Sequence, residues 1–176
     1  MNLEERIKHA MVDVHDFPSP GIVFKDITPV FQDPALLNDL LDAMEAACRN
    51  QQIDAVVGLE SRGFLLAVPL SMRLGVPFVM VRKKGKLPRA CHSISYDLEY
   101  GSSTIEMHRD ALKAGQRVLI HDDVLATGGT AEAAAKLVHQ AGAEVAGFQF
   151  LVELSFLKGM ERMQAYSNAV TTFARF

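Results

Sequence analysis

The sequence is poor in cysteine, has no long apolar run and carries no excess of basic charge, and each shortage removes a class of function. Its two cysteines, Cys48 and Cys91, lie far apart and make no C-x-x-C pair. They read as reduced thiols with packing roles, as a cytoplasmic protein keeps them. The alternative, a reactive thiol, falls on Cys91, which sits in a polar stretch. The longest apolar run, residues 63–70, is too short to cross a bilayer. The opening Met1-Asn2-Leu3-Glu4-Glu5-Arg6 is too polar for a secretory signal. With 18 basic against 21 acidic residues the net charge is −3, which supplies no general field for nucleic acid or an anionic membrane. Any anion site must therefore be local. No repeat, low-complexity tract or Pro/Gly/Ser-rich linker divides the 176 residues, and 49% of them are apolar. That suits a single domain over residues 1–176 with a sizeable core.

What is present is an alternation of helix and strand patterns. Residues 3–14 carry an amphipathic helical spacing, which Asp16-Phe17-Pro18-Ser19-Pro20-Gly21 breaks because proline fixes φ and glycine permits turns. Ile22-Val23-Phe24 is a short apolar segment that by composition alone reads as core. Asp33-Pro34 reads as an N-cap with proline at the first helical position, and Leu36, Leu37, Leu40, Leu41 and Met44 follow at helical spacing. Further on come a strand over 53–59, a helix over 63–74 stopped by Gly75 and Pro77, and a strand over 78–81. After the basic stretch 82–89, residues 93–100 and 103–108 pair as a hairpin across Gly101. A buried strand at 118–120, a helix over 131–140, a strand over 145–151 and an edge strand at 170–173 complete the pattern. The expectation is an α/β fold with a mostly parallel sheet flanked by helices on both faces. Such sheets bind ligands at the carboxyl ends of their strands.

The most informative stretch is Val118-Leu119-Ile120-His121-Asp122-Asp123-Val124-Leu125-Ala126-Thr127-Gly128-Gly129-Thr130. A buried strand presents two acids at its end, a small-residue loop follows, and then a helix begins. The Thr127-Gly128-Gly129-Thr130 loop can wrap backbone N–H groups and two hydroxyls around a phosphate, and the helix N-terminus adds unpaired donors. The two carboxylates repel a second phosphate but suit the vicinal hydroxyls of a ribose. Together they imply one ligand carrying a diol and a phosphate, a ribose 5-phosphate. Other motifs fail on spacing: no lysine follows the glycines as a P-loop requires, and no G-x-G-x-x-G follows a strand. A metal cluster of His121, Asp122 and Asp123, as in a metal phosphohydrolase, meets the difficulty that neighbouring strand residues point to opposite faces. A packed strand histidine is the alternative for His121.

These residues, with four other segments in the same order, resemble the type I phosphoribosyltransferases. Residues 17–29, Phe17 through Pro29, resemble the amino-terminal base-binding segment of the adenine-using branch of that family. Gly58-Leu59-Glu60-Ser61-Arg62-Gly63-Phe64 resembles its pyrophosphate-binding turn, and Arg82-Lys83-Lys84-Gly85-Lys86-Leu87-Pro88 the start of a mobile catalytic loop. Ser95-Tyr96-Asp97-Leu98-Glu99-Tyr100-Gly101 resembles that loop's return strand.

The resemblance implies the type I phosphoribosyltransferase fold with a small base-binding hood within residues 1–33 and a mobile catalytic loop over 82–100. It implies transfer of the phosphoribosyl group of 5-phosphoribosyl-1-pyrophosphate to adenine, giving AMP and pyrophosphate. Mg²⁺ arrives with the substrate rather than on protein ligands, and the active form is a homodimer. By the same resemblance Ala126, Thr127, Gly128, Gly129 and Thr130 hold the 5-phosphate, and Asp122 and Asp123 take the ribose hydroxyls. Glu60, Ser61, Arg62, Arg82, Lys83 and Lys86 face the pyrophosphate, Arg62 and Lys86 catalytically. Phe24 stacks on the purine, with backbone groups of Val23 and Lys25 reading its edge. Glu99 assists proton transfer at the purine nitrogens, and Tyr100 packs beside the leaving group. Two positions depart from the family pattern: Lys25, where arginine is frequent, and His121, where an aliphatic residue is usual.

Overall fold

The computed structural model describes residues 1–97 and 101–176. The chain opens with α1 (Leu3–Ala10), closed at its start by a capping box in which Asn2 and Glu5 bond each other's backbone N–H. The helix ends earlier than its periodicity predicts. Met11 is extended, and β1 (Val12–His15) pairs antiparallel with β2 (Val23–Asp26) as a separate two-stranded sheet. Val12-Asp13-Val14-His15 satisfies a period of two as well as a helical spacing, and a strand partner delivered by the turn at 16–21 decides between them. α2 (Pro34–Cys48) starts where the sequence places it, with the Asp33 carboxylate accepting from the N–H groups of Ala35 and Leu36.

The main sheet contains β3 (Ala55–Leu59), β4 (Phe78–Lys83), β5 (Cys91–Asp97), β6 (Ser102–His108), β7 (Arg117–Leu125), β8 (Glu144–Glu153) and β9 (Val170–Arg175), in the order β5-β6-β4-β3-β7-β8-β9. The block from β4 to β9 is parallel, and the β5–β6 hairpin is added antiparallel at one edge. α3 (Gly63–Leu74), ended by a left-handed Gly75, packs with α2 and α1 on one face. α4 (Gly129–Gln140) covers the other face, against Val57, Ile120, Phe148 and Phe150. A short α5 (Gly159–Gln164), which the sequence pattern does not reveal, joins it through Met163.

One difference positions the site. β7 runs for nine residues where the apolar run predicts three, so the acids lie within the strand. β3 accompanies β7 only as far as the Gly58–His121 pair, while β8 continues alongside to the Leu125–Glu153 pair. Asp122 and Asp123 therefore overhang the end of β3, held straight by one neighbour and open on the other side. The segment 82–100, expected as a loop, also contains strand: residues 82 and 83 finish β4, and residues 91–97 form β5.

Candidate active site

A cleft of about 590 Å³ opens above the carboxyl ends of β3, β4 and β7, where ligands collect in parallel sheets. Its lining draws on four separate segments: Val23, Phe24 and Lys25 of the small sheet, Glu60, Ser61 and Arg62 after β3, Lys83 of β4, and Asp122, Asp123, Ala126 and Thr130 of β7 and its loop. Ser103 and Ile105 of β6 also line it, as do Tyr96 of β5 and Leu154 after β8, to which the sequence pattern assigns no role. Ile22 and Val23 are each 45% exposed, so this apolar segment is cleft wall rather than core.

The acid pair is unequal. Asp123 is nearly buried, 8% exposed, and its Oδ2 lies 2.6 Å from Nε of Arg62. The Asp122 carboxyl accepts the Asp123 N–H at 2.9 Å. Burial, then the neighbouring Asp123 charge, pushes the Asp122 carboxyl well above the ordinary carboxylate range. Gly63 permits this packing, since a Cβ there would stand 2.9 Å from Asp122 Oδ1 and 3.1 Å from the His121 carbonyl oxygen. Two acids crowded at a strand end, one of them resisting ionisation, are suited to donate and accept hydrogen bonds with neighbouring hydroxyls.

The phosphate loop forms its own cavity of about 70 Å³, lined by Asp122 and residues 124–131 with Phe150. Gly128 takes a left-handed φ of 81° and its carbonyl accepts the Glu132 N–H that opens α4; no side chain caps this helix start, and its first residues Gly129, Thr130 and Ala131 line the cavity. Behind the loop stands Gly159, where a Cβ would lie 2.3 Å from the Ala126 carbonyl oxygen. Gly159→Ala is expected to cost about 1–3 kcal/mol through this backbone collision and to displace the loop. Thermal unfolding should show the first effect and titration with ribose 5-phosphate the second; an unchanged affinity would mean that α5 yields instead. In front, the Tyr96 hydroxyl is 3.0 Å from Thr130 Oγ1, which joins the hairpin to the loop.

At the other end, the Phe24 ring makes an edge contact with Phe17 at 5.1 Å and has the Arg62 guanidinium 5.4 Å from its centre. Lys25 sends its ammonium to Asp13 at 2.6 Å, so only its backbone is free to read a ligand edge. Glu60 accepts from Arg82 Nε and Nη2, both at 3.3 Å, and from the Lys83 N–H at 2.8 Å. Those bonds and positive neighbours hold its carboxyl below the ordinary range despite the opposing effect of burial. Glu60 thus braces the basic stretch instead of offering itself to an anion. Arg82 is turned to Glu60 and the Lys86 carbonyl, and neither Arg82 nor Lys86 lines the cleft, whereas Lys83 does. Glu99 and Tyr100 lie outside the described residues. Among the described residues no three His, Cys, Asp or Glu side chains gather as a metal cage, and His121 takes no part in one.

His121 is instead fully buried beside Gln149, with neither ring nitrogen hydrogen-bonded through its side chain. Burial lowers its pKa to about 4 from an ordinary 6.5. The unfolded chain takes up a proton before the folded one does. The stability that His121 permits is therefore complete above about pH 6.5 and is lost as pH falls toward 4. Asp122 acts with the opposite sign, because its raised pKa favours the folded state as pH falls. His121→Leu is expected to flatten the fall of Tm between these pH values while Asp122 remains as it is. Parallel curves for the two proteins would refute a buried neutral imidazole.

The family model described as a phosphoribosyl transferase domain matches residues 29–173. The chain is 52% identical over 167 residues to the adenine phosphoribosyltransferase of Ureaplasma parvum serovar 3, a match covering 95% of this chain and 96% of that one. The crystal structure of adenine phosphoribosyltransferase from Thermoanaerobacter pseudethanolicus aligns with a TM-score of 0.94 at 45% identity, over 99% of this chain and 100% of that chain. The Saccharomyces cerevisiae enzyme, solved with adenine and an imino-altritol bisphosphate, aligns with a TM-score of 0.90 at 43% identity, over 97% of this chain and 98% of that chain.

Proposed function

The chain belongs to the adenine phosphoribosyltransferases within the phosphoribosyl transferase domain family, and on that premise we propose how its own residues divide the reaction. It transfers the phosphoribosyl group of 5-phosphoribosyl-1-pyrophosphate to adenine, forming AMP and pyrophosphate. A ring nitrogen of adenine bonds to the sugar's anomeric carbon, the bond from that carbon to pyrophosphate breaks, and the purine loses a proton. Positive charge develops on the sugar and negative charge on the leaving group, so the site must hold three parts in line.

The 5-phosphate sits in the cavity of Ala126, Thr127, Gly128, Gly129 and Thr130, fixed by backbone N–H groups and two hydroxyls. Asp122 and Asp123 bind the ribose hydroxyls. Asp123, paired with Arg62, stabilises the cationic sugar. Ser61, Arg62 and Lys83 receive the pyrophosphate, with Arg62 exchanging its contact with Asp123 for the phosphate oxygens. Glu60 holds Arg82 and the start of the basic stretch in place, and Lys86 reaches the pyrophosphate from outside the cleft. Phe24 stacks on adenine, and backbone groups of Val23 and Lys25 read its edge. Glu99 exchanges the purine proton. The observation that carries this reading is the overhang of Asp122 and Asp123 between an anion-sized loop cavity and an aromatic hood wall, all bordering one cleft.

Magnesium fits as a companion of the substrate: it is ordinarily held by phosphates and waters, and the cleft offers N–H and lysine donors suited to an anion that carries its cation. Bound with the diphosphate, it would neutralise charge on the leaving group. The proposal includes a homodimer, supported by the exposed stripe Leu65, Val68 and Met72 along α3. It also places the enzyme in the cytoplasm; among the described residues no helix is long and apolar enough to cross a membrane.

The test is direct. Protein incubated with adenine, 5-phosphoribosyl-1-pyrophosphate and Mg²⁺ should yield AMP and pyrophosphate in equal amounts. Product with guanine, hypoxanthine or orotate in place of adenine would reassign the base site, and no product with any base would reduce the chain to a ligand-binding protein.

A further inference from the structure

The small sheet of β1 and β2 carries the base-reading residues, yet a lone two-stranded sheet is marginal by itself, so something in the body must set where it stands. One such contact runs to a residue outside the cleft. The Lys25 ammonium lies 4.4 Å from the centre of the Phe176 ring, and the Lys8 ammonium lies 5.3 Å from it. Lys25 is also paired at 2.6 Å with Asp13, its partner across the hairpin, and its side chain is only 21% exposed. Partial desolvation strengthens an ammonium's attraction to an aromatic face. The ring itself is held firmly. The Phe176 N–H donates to the Glu153 carbonyl at 2.9 Å, its carbonyl accepts the Ser155 N–H at 2.9 Å, and the preceding Arg175 N–H donates to Glu4 at 3.1 Å.

These bonds join two segments that border the cleft independently. Lys25 neighbours Phe24 on the hood side. Leu154, which also lines the cleft, immediately precedes Ser155 and packs against the same core as Phe176. We infer that Phe176 is a positioning residue for adenine: its ring anchors the Lys25 side chain while its backbone fixes the Leu154–Ser155 segment, and together they set the width of the base end of the cleft. This rests on the hood being the base site. Among the described residues Phe176 lines neither the cleft nor the phosphate-loop cavity, so its influence reaches adenine through Lys25 and Leu154 and leaves the phosphoribosyl end alone. It also gives the lysine at position 25 a use that does not require a planar fork: an ammonium satisfies one carboxylate and one ring face at once.

The experiment compares steady-state kinetics of wild type, Phe176→Leu, Phe176→Tyr and Phe24→Ala. Leucine keeps most of the packing volume and removes the π face, so Phe176→Leu should raise KM for adenine by about three- to tenfold. KM for 5-phosphoribosyl-1-pyrophosphate and kcat should stay within about twofold, and Phe176→Tyr should restore the adenine KM. An adenine KM for the leucine variant within twofold of wild type, or both KM values rising together, overturns the inference. Phe24→Ala reports on the hood separately. If Phe24→Ala raises the adenine KM and Phe176→Leu does not, the hood stands and only the role of Phe176 falls. If Phe24→Ala has no effect, the hood reading fails and this inference fails with it.

Discussion

Asparagine at both 122 and 123 should lower kcat/KM for 5-phosphoribosyl-1-pyrophosphate by roughly 10²–10⁴-fold, while the folded protein loses little or no stability at neutral pH. The activity figure follows from hydrogen bonds to charged groups, worth about 1.5–3 kcal/mol each, lost at the ribose hydroxyls and at the cation that forms on the sugar. The stability expectation comes from the crowding of the pair. Asp122 has a raised pKa because burial and Asp123 disfavour its charge, so for this group folding is less favourable at neutral pH than at low pH. Asparagine removes that penalty, and Arg62, 41% exposed, can turn its freed guanidinium to solvent. A large loss of activity with unchanged or raised Tm is the combined signature. A loss below about fivefold would mean the ribose binds without the acids; a matching fall in Tm would mean that they serve the fold.

Glu99→Gln should lower kcat by roughly 10²–10⁴-fold, the range in which a positioned proton acceptor or donor contributes. The reasoning is chemical. Bond formation at a purine nitrogen requires a ring proton to depart, and glutamine keeps the shape and hydrogen-bonding reach of glutamate without its ability to take that proton. The two KM values should therefore change by no more than a few fold, and the limb of the pH–rate profile that reports the carboxylate should vanish. A change in kcat under a few fold would remove Glu99 from the reaction. A raised KM with an intact pH limb would make it a binding group only.

Most of the fold was legible because local patterns and global packing agree. Asp33-Pro34 starts α2, Gly75 stops α3, and strand runs alternate with helical ones, so the sheet and its two helical layers follow. Residues 3–14 read as one helix because Val12 and Val14 suit two periods, and only the return of residues 23–26 selects the strand. The length of β7 was hidden for a related reason. His121, Asp122 and Asp123 look like the end of a strand until β8 is seen to run beside them.

The acid pair and the threonine–glycine loop are legible in the sequence because each is a contiguous motif whose chemistry is local, whereas Phe24 enters only through the family resemblance, since its segment by composition reads as core. What the sequence could not decide is which distant charges meet. Arg82 suits an anion site and Glu60 lies in the turn that resembles one, but the structure pairs them with each other. Lys25 belongs to the base segment, yet its ammonium turns to Asp13 and Phe176. Tyr96 reaches Thr130, and Gly159 backs the phosphate loop, across chain separations that no spacing rule spans. Sequence determines the residues that can do the chemistry, since donors, acceptors and backbone freedom are properties of each residue. Only tertiary structure decides which of them are left free to do it, because charges and close-packed surfaces are satisfied by whatever the fold brings within a few ångströms.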